Sequence, residues 1–201
     1  MTPEFRLQTF AGPLTARHFT APWGSTTTAG VVLTSLPPGS DGAVSVRLQS
    51  SCLFSEAFRT ADCDCALQLC ASIKLLGVED GIVVYAYQEG RGAGLELKCR
   101  SIMLQQEKGL HTAAAYRELG LPTDLRDFEV EAAVLREFLQ PSQDIRLLTN
   151  NPRKVEQLSA HGFTAVSRRP LVMKNPSVRD YLDEKQKVLG HLIDDVEDGD
   201  P

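Results

Sequence analysis

The clearest structural signal in the chain lies at residues 81–94, which read GIVVYAYQEGRGAG. The first seven residues are an apolar run with the length and β-branched composition of a buried strand. The glycines that follow mark a tight turn, and the pattern after them predicts a helix that ends near Lys108. A buried strand that leads through a turn into a helix is the basic unit of an α/β fold.

Apolar segments on both sides of this unit alternate between strand and helix periodicity. The predicted strands are residues 30–36, 44–50 (half-buried), 145–148 and 163–166, and the predicted helices are 67–76, 128–139, 151–160 and 177–192. Residues 1–29 are rich in Thr, Pro and Gly and are expected to be loosely structured, with one strand at most. We therefore expect an α/β domain with a mixed sheet flanked by helices.

The composition fits one folded domain. The 201 residues are 42% apolar and 23% charged, which is enough to bury a core. No stretch approaches 18 consecutive apolar residues, and the N-terminus lacks the basic and apolar segments of a secretion signal. Five cysteines in such a chain favour a reducing compartment, so we expect a cytoplasmic protein in which residues 1–193 form a single domain.

The formal net charge of −5 comes from the end of the chain. Residues 194–201 contain five acidic residues and no basic one, so residues 1–193 are neutral overall. A neutral body argues against bulk binding of nucleic acid, which needs a basic surface. We expect residues 194–201 to be a disordered acidic tail, and we expect neither nucleic acid nor a membrane as a partner.

Three cysteines lie close together in the sequence, at Cys52, Cys63 and Cys65. Cys63 and Cys65 are too close to share one helix face, so we expect a loop that wraps a metal just before a helix. Zinc takes thiolate ligands, and three protein ligands leave one position for an activated water. The alternatives are buried thiols, or a structural zinc closed by a histidine. Cys70 and Cys99 fall on apolar helix patterns and are expected in the core.

Two further segments have features of anion-binding sites. Residues 89–94 combine glycines, which let backbone N–H groups approach a ligand, with Arg91, a bidentate phosphate donor. In residues 149–154, Asn151 is a good N-cap, while Arg153 and Lys154 put positive charge where a helix normally favours acids. Each segment also fits a purely structural role, as a tight connection or as a capped helix with exposed basic residues.

The segment Asp124-Leu125-Arg126-Asp127 places one arginine between two carboxylates. On chemistry alone, the simplest interpretation is a structural ion pair. Arginine stays protonated in proteins and is a poor nucleophile unless a carboxylate accepts a proton from it.

In their order along the chain, these motifs resemble those of one family, GTP cyclohydrolase II, the entry enzyme of riboflavin synthesis. The resemblance covers about residues 44–192 and implies a mixed-sheet α/β fold with a three-cysteine zinc site. Its matching pieces are Arg47, Ser50, Cys52, CDC at 63–65, Gln68, QEGRG at 88–92, LG at 119–120, DLRDF at 124–128, RLLTNNPRK at 146–154, NP at 175–176, YL at 181–182, Lys185 and GHL at 190–192.

The resemblance also implies a reaction and a role for each site residue. Members of the family remove pyrophosphate from GTP and hydrolyse carbon 8 of guanine out of the ring as formate. By this resemblance, Cys52, Cys63 and Cys65 hold Zn²⁺, whose water attacks carbon 8. Arg126 attacks the α-phosphate to form a covalent nucleotidyl adduct, and Asp124 accepts its proton, which replaces the ion-pair interpretation. The implied nucleotide contacts are Arg47, Ser50, Gln68, Glu89, Gly90, Arg91, Thr112, Thr149 and Lys154.

The same resemblance implies Mg²⁺ with the triphosphate and a cytoplasmic homodimer, but the sequence departs from the family pattern near the base. The family's RVHSEC is RLQSSC at residues 47–52, so Gln49 and Ser51 replace a histidine and a glutamate. Ile102 stands where the family has tyrosine, and AAY at 114–116 replaces Glu-Ala-Asn. Lost hydroxyl and carboxyl groups change which proton transfers are possible and which base fits.

Three functions therefore stay open. The first is the complete reaction on GTP. The second is a diverged enzyme that stops at the ring-opened formamide, or acts on another nucleotide in secondary metabolism or nucleobase catabolism. The third is an inactive nucleotide sensor, against which the retained cysteines, Asp124 and Arg126 argue.

Overall fold

A computed structural model of the protein describes residues 1–37, 39–171, 186–187, 190 and 192. Its strands are β1 (Phe5–Thr9), β2 (Gly12–Trp23), β3 (Thr26–Thr34), β4 (Val44–Ser50), β5 (Gly81–Ala86), β6 (Ile145–Leu148) and β7 (Val166–Arg169). Its α-helices are α1 (Leu53–Glu56), α2 (Cys65–Leu76), α3 (Leu95–Lys108), α4 (Thr112–Glu118), α5 (Glu129–Leu135) and α6 (Pro152–Ala160), and Gly90–Gly92 form one 3₁₀ turn.

The strands form one mixed sheet in the order β1-β2-β3-β5-β4-β6-β7. Strand β4 pairs in parallel with both β5 and β6, β6 pairs in parallel with β7, and β1, β2, β3 and β5 pair antiparallel in turn. The predicted mixed sheet with flanking helices is therefore confirmed. Because β4, β5 and β6 are parallel, their carboxyl ends meet at one sheet edge, the usual place for a ligand site in such sheets.

Both faces of the sheet are covered. On one face, Leu48 and Val84 pack with Phe128 and the buried side of α5. On the other, Val83 packs with Leu14 and with Leu76 from α2. The predicted half-buried strand at residues 44–50 is wrong in this respect, since β4 is buried along nearly its whole length and its polar residues face α2 and the interior.

The expectation of a loosely structured N-terminus is also wrong, because β1, β2 and the first four residues of β3 lie within residues 5–29. Strand β2 changes its buried face along its length. Leu14 and Ala16 are buried toward one side, whereas Phe19 is buried in the main core on the other. This change hides the two-residue period on which strand prediction depends. The close approach of β2 to β3 is fixed at Gly30, where an added Cβ would lie 2.6 Å from the Phe19 ring.

Smaller differences concern the ends of elements. Helix α4 was not predicted, helix α5 ends at Leu135 rather than Leu139, and β7 begins where the predicted strand at 163–166 ends. The predicted helix at 177–192 lies almost entirely outside the described residues, as does the acidic tail, and the single domain at 1–193 stays a prediction. Every helix in the described part of the chain is too short or too polar to cross a bilayer.

Candidate active site

One cavity of about 430 Å³ opens at the edge where β4, β5 and β6 end. The end of β4 and the turns after these strands supply much of its wall, and residues of α1, α2, α3, α4 and α6 add to it. Asp124 is outside the wall but contacts Arg126, which is part of it. The cavity wall contains the other predicted site residues, namely Arg47, Ser50, Cys52, Cys63, Cys65, Gln68, Glu89, Gly90, Arg91, Thr112, Arg126, Thr149 and Lys154.

The three predicted thiols form a cluster at one end of this cavity. Cys52 follows β4, Cys65 begins α2, and the three Sγ atoms lie within 4.8 Å of one another. The Sγ atoms of Cys52 and Cys63 are 3.7 Å apart. Two thiolates on one tetrahedral zinc, with bonds of about 2.3 Å, lie about 3.8 Å apart, so the cluster fits that ion. No histidine joins the cluster among the described residues, so the alternative of a zinc closed by histidine finds no support there.

The thiol cluster has a cationic neighbour that the sequence reasoning missed. The Nζ of Lys98, on α3, lies 3.1 Å from the Sγ of Cys52 and 2.6 Å from a carboxylate oxygen of Glu89. The other Glu89 oxygen accepts a hydrogen bond from the Leu53 N–H. Burial alone would lower the pKa of Lys98, but its contacts with Glu89 and Cys52 raise it, so the side chain stays cationic. Lys98 and Glu89 thus link the cysteine loop to the glycine-rich turn.

A second missed neighbour is Glu56, at the end of α1. Its carboxylate accepts hydrogen bonds from the hydroxyl of Tyr85, the backbone N–H of Cys52 and the side-chain amide of Gln49. These contacts fix the start of the cysteine loop against β4 and β5. The sequence offered no signal for them, because Tyr85 and Glu56 are 29 positions apart.

Asp124 and Arg126 form a closely held pair. The Nε of Arg126 donates to one carboxylate oxygen of Asp124 at 2.8 Å, and one Nη donates to the other at 2.7 Å. The second Nη donates to the hydroxyl of Ser50 at 3.0 Å, which aims the guanidinium at the end of β4. Burial opposes ionisation of Asp124, but the hydrogen bonds and charge of Arg126 outweigh it and lower the pKa of the carboxyl. Asp124 is therefore a carboxylate within reach of guanidinium protons.

Arg47 is predicted to contact a nucleotide, and most of its N–H donors are already used within the protein. They bond to the side-chain oxygens of Gln49 and Gln68 and to the carbonyl of Leu148. Gln68 in turn donates to Asp64. Burial lowers the pKa of Arg47 to about 10, which leaves it protonated at neutral pH. Arg47 and Gln68 therefore line the cavity as a hydrogen-bonded pair, and Arg47 adds positive charge there with four of its five N–H hydrogens bonded within the described residues.

Lys154 is a buried side chain in the first turn of α6. Its Nζ donates to the carbonyl of Leu48 at 2.7 Å and lies 5.0 Å from the centre of the Phe128 ring. Burial, together with the nearby charges of Arg47 and Arg126, places the pKa of Lys154 well below its ordinary value. An anion brought into this end of the cavity would relieve the repulsion among the three cations.

The start of α6 matches its prediction as a capped helix. The side chain of Asn151 accepts a hydrogen bond from the Arg153 N–H, and Pro152 occupies the first turn. The two predicted basic residues separate, since Arg153 is exposed while Lys154 points inward. Thr149 is buried and accepts a hydrogen bond from the Asn151 N–H.

The glycine-rich turn differs from the expected cradle of backbone N–H groups. The N–H of Gly90 donates to the side chain of Glu89, and those of Gly92 and Gly94 donate to the Glu89 carbonyl. These donors are therefore occupied within the turn. The group in this turn that can bind an anion is instead the side chain of Arg91, which lines the cavity.

Several of the substitutions noted in the sequence, including Gln49, Ile102 and Tyr116, line the cavity. Ile102 lines the cavity together with Gln105 and Thr112, and the hydroxyl of Thr112 donates a hydrogen bond to the side-chain oxygen of Gln105 at 3.1 Å. The side-chain amide of Gln49 accepts a hydrogen bond from Arg47 and donates one to Glu56. At these positions the cavity is therefore lined by an apolar side chain and by amides whose hydrogen bonds are made within the protein.

Comparison with known proteins gives consistent matches. The sequence profile of the family described as GTP cyclohydrolase II matches residues 1–170, and thus includes the N-terminal strands. The riboflavin biosynthesis protein RibBA of Bacillus cytotoxicus is 42% identical over 155 residues, which are 76% of this chain and 38% of that protein. RibBA of Staphylococcus haemolyticus is 39% identical over 149 residues, 74% of this chain and 37% of that protein. The chain thus spans less than two fifths of the length of these relatives.

Proposed function

The chain belongs to the GTP cyclohydrolase II family, and from that membership and the cavity's geometry we propose that it opens the imidazole ring of GTP at carbon 8. The products are formate, pyrophosphate and a diaminopyrimidine ribosylamine phosphate. The observation that carries this proposal is the presence in one cavity of a three-thiol cluster and a carboxylate-held arginine. The names of its relatives favour a role in riboflavin biosynthesis.

The first step concerns the phosphates. An Nη of Arg126 attacks the α-phosphorus, a bond from nitrogen to phosphorus forms, and the bond from the α-phosphorus to the bridging oxygen breaks. Pyrophosphate leaves with that electron pair, and the N–H proton of Arg126 passes to Asp124. The two hydrogen bonds between these side chains support this role, since a guanidinium is a nucleophile only after it loses a proton. Water later cleaves the adduct and releases Arg126.

The charge around Arg126 supports binding of a polyphosphate. Lys154 and Arg91 supply cationic side chains at the cavity wall, and Arg47 adds charge there. Thr149 lies at the same end. Cations fixed by the protein stabilise the charge that develops on a leaving pyrophosphate without reorganisation. Mg²⁺ would accompany the triphosphate and share this neutralisation.

The ring-opening step would take place beside the three thiols. Cys52, Cys63 and Cys65 would hold Zn²⁺, and the bound ion supplies a water that is activated for attack near neutral pH. Lys98 lies beside Cys52 and Glu89, where an ammonium can offset the charge of three thiolates. Glu56 fixes the backbone of Cys52 through its N–H. The protein's contribution is thus to hold three thiolates beside the position of the base.

A second candidate function is favoured by one position. Ile102 lines the cavity where the family pattern has a tyrosine, so the hydroxyl of that tyrosine is missing. Without it, the reaction could end at the ring-opened formamidopyrimidine rather than proceed to formate release. The variant Ile102→Tyr tests this version, since it should convert a formamide product into formate plus the diaminopyrimidine.

The deciding experiment is mass analysis of the products after zinc- and magnesium-loaded protein is incubated separately with each common nucleoside triphosphate. We expect GTP to disappear and pyrophosphate and formate to form in equal amounts. Removal of the metal with a chelator, or the variant Cys65→Ser, should prevent ring opening. GTP left intact by fully zinc-loaded protein would overturn the proposal, and consumption of a different nucleotide would identify another substrate.

The remaining expectations belong to the same proposal. A homodimer is implied by the resemblance, whereas a single catalytic domain over residues 1–193 and a cytoplasmic location are also favoured by the composition and the five cysteines. Sedimentation of the full chain would test the dimer.

A further inference from the structure

We propose that Tyr116 is a positioning residue that holds Arg91 in place for binding phosphate. The inference rests on the proposed function in one respect, that the phosphate is that of a nucleotide. Tyr116 lies on α4 and is almost completely buried, with 2% of its surface exposed. It stands where the family pattern has an asparagine, which lacks the aromatic ring and the hydroxyl that make the contacts described below.

Two contacts connect Tyr116 to the glycine-rich turn. Its hydroxyl donates a hydrogen bond to the carbonyl of Gly90 at 2.7 Å. Its ring lies beneath the guanidinium of Arg91, whose central carbon is 5.9 Å from the ring centre. One side chain therefore contacts both the backbone that precedes Arg91 and the charged group itself.

The backbone of this turn needs such support. Gly90 has φ +60° and Arg91 has φ +53° and ψ +33°, so two successive residues adopt the left-handed conformation. Glycine tolerates it, but a residue with a side chain does so only where the surrounding structure compensates. The carbonyl of Arg91 accepts a hydrogen bond from the Leu125 N–H at 3.1 Å, and its guanidinium donates to the Thr123 carbonyl at 3.2 Å. The hydrogen bond from the Tyr116 hydroxyl to the Gly90 carbonyl is a third contact that supports the turn.

The packing leaves the turn little freedom to move toward α4. A Cβ added to Gly90 would lie 3.2 Å from the Tyr116 hydroxyl and 3.1 Å from the Cβ of Lys98. Burial also raises the pKa of Tyr116, so the hydroxyl keeps its proton and remains a donor at neutral pH. Contacts within the protein therefore hold the Arg91 guanidinium in place before any phosphate binds.

The test removes only the hydroxyl, with Tyr116→Phe, and measures binding of inorganic pyrophosphate by calorimetry. We expect the Kd to rise about 3–10-fold, the effect of one net hydrogen bond. The KM for GTP should rise by a similar factor, while kcat changes less than about twofold, because the lost contact supports binding. Tyr87→Phe is the matched control, since Tyr87 is 55% exposed and should leave both values unchanged.

A double-mutant cycle with Arg91→Gln shows whether Tyr116 acts through Arg91. In the Arg91→Gln background, Tyr116→Phe should have no further effect on pyrophosphate binding. Amide exchange at residues 90–94 of the ligand-free protein should also be faster in Tyr116→Phe, which reports the turn directly. An unchanged Kd in Tyr116→Phe, or an equal loss in the Arg91→Gln background, would overturn the proposal.

The two proposals fail in different ways. If the protein leaves GTP intact but pyrophosphate binding follows the expected cycle, the proposed reaction is wrong and the role of Tyr116 stands. If GTP is consumed and the cycle shows no coupling between Tyr116 and Arg91, the reaction stands and the positioning role is wrong.

Discussion

Substitution of Asp124 by asparagine tests the covalent step most directly, because it keeps the shape of the side chain and removes its charge and basicity. Asp124 accepts two hydrogen bonds from Arg126, and its side chain is only 5% exposed. In the variant one amide oxygen can still accept, whereas the amide nitrogen faces an N–H donor of the arginine. The proton acceptor that the proposed attack requires is lost.

The expected loss in the rate of pyrophosphate release is about 10²–10⁴-fold, the usual contribution of a general base. Stability should also fall, by about 1.5–3 kcal/mol at neutral pH, because hydrogen bonds between charged groups are replaced. The pKa of Asp124 is depressed below its ordinary 3.8, so its stabilising contribution is complete above that value. The difference in unfolding free energy between the two proteins should shrink as the pH falls through the folded-state pKa.

The assay is single-turnover release of pyrophosphate, with intact-protein mass spectrometry to detect the nucleotidyl adduct on Arg126. Asp127→Asn is the matched control, since Asp127 is exposed and its side chain accepts a hydrogen bond from the Glu129 N–H, which asparagine can also do. Release of pyrophosphate by Asp124→Asn within about threefold of the wild-type rate would refute the role of Asp124. So would an equal loss in Asp127→Asn, because then the site would not distinguish the two carboxylates.

Two further substitutions test the charges at the two ends of the cavity. Burial and neighbouring cations lower the pKa of Lys154 below its ordinary 10.5, so a bound anion should raise that pKa again. Calorimetry in two buffers above neutral pH should therefore show proton uptake when pyrophosphate binds. That uptake should fall in Lys154→Met and persist in Arg153→Met; equal uptake in all three proteins would contradict the prediction. At the other end, Lys98→Met should weaken zinc binding about 10–100-fold in competition with a chelator, because Lys98 donates to the Sγ of Cys52. Lys108→Met, on the exposed end of the same helix, is the control, and equal affinities for all three proteins would show that the contact does not support the metal.

The parts of the fold that the sequence predicts are those whose periodicity is local. The apolar run at 81–87 needs no partner to be recognised as a buried strand, and β5 with α3 follows from it. Strand β2 could not be recognised in this way, because Leu14 contributes to one core and Phe19 to the other. Its regular pairing with β3, from Thr15 opposite Thr34 to Trp23 opposite Thr26, appears only once the sheet exists.

The same distinction between local and long-range signals applies to the candidate site. The motif residues that the sequence singles out surround one cavity, whereas the contacts that orient them do not appear in any motif. Lys98 reaches Cys52 across 46 positions, and Tyr116 reaches Gly90 across 26. The hydrogen bonds that occupy Arg47 likewise depend on Gln49, Gln68 and Leu148. A sequence pattern identifies which side chains carry chemistry, but only the packing shows which donors remain free.

The distribution of charge supports one orientation of a nucleotide in the cavity. Among the described residues, Asp124 pairs with Arg126, whereas the donors of Arg47 and Lys154 bond only to neutral oxygens. The carboxyl of Glu131 is buried nearby, where burial raises its pKa and neither of its oxygens accepts a hydrogen bond from the described residues. Arg47 and Arg126 both lower the pKa of Lys154, so these three side chains lie close together. The three thiols form their own cluster, with Lys98 beside Cys52. In the proposed reaction, a nucleoside triphosphate would bind with its phosphates near Arg126 and its base near the thiols, so that the α-phosphorus and carbon 8 would meet the two groups that the reaction requires.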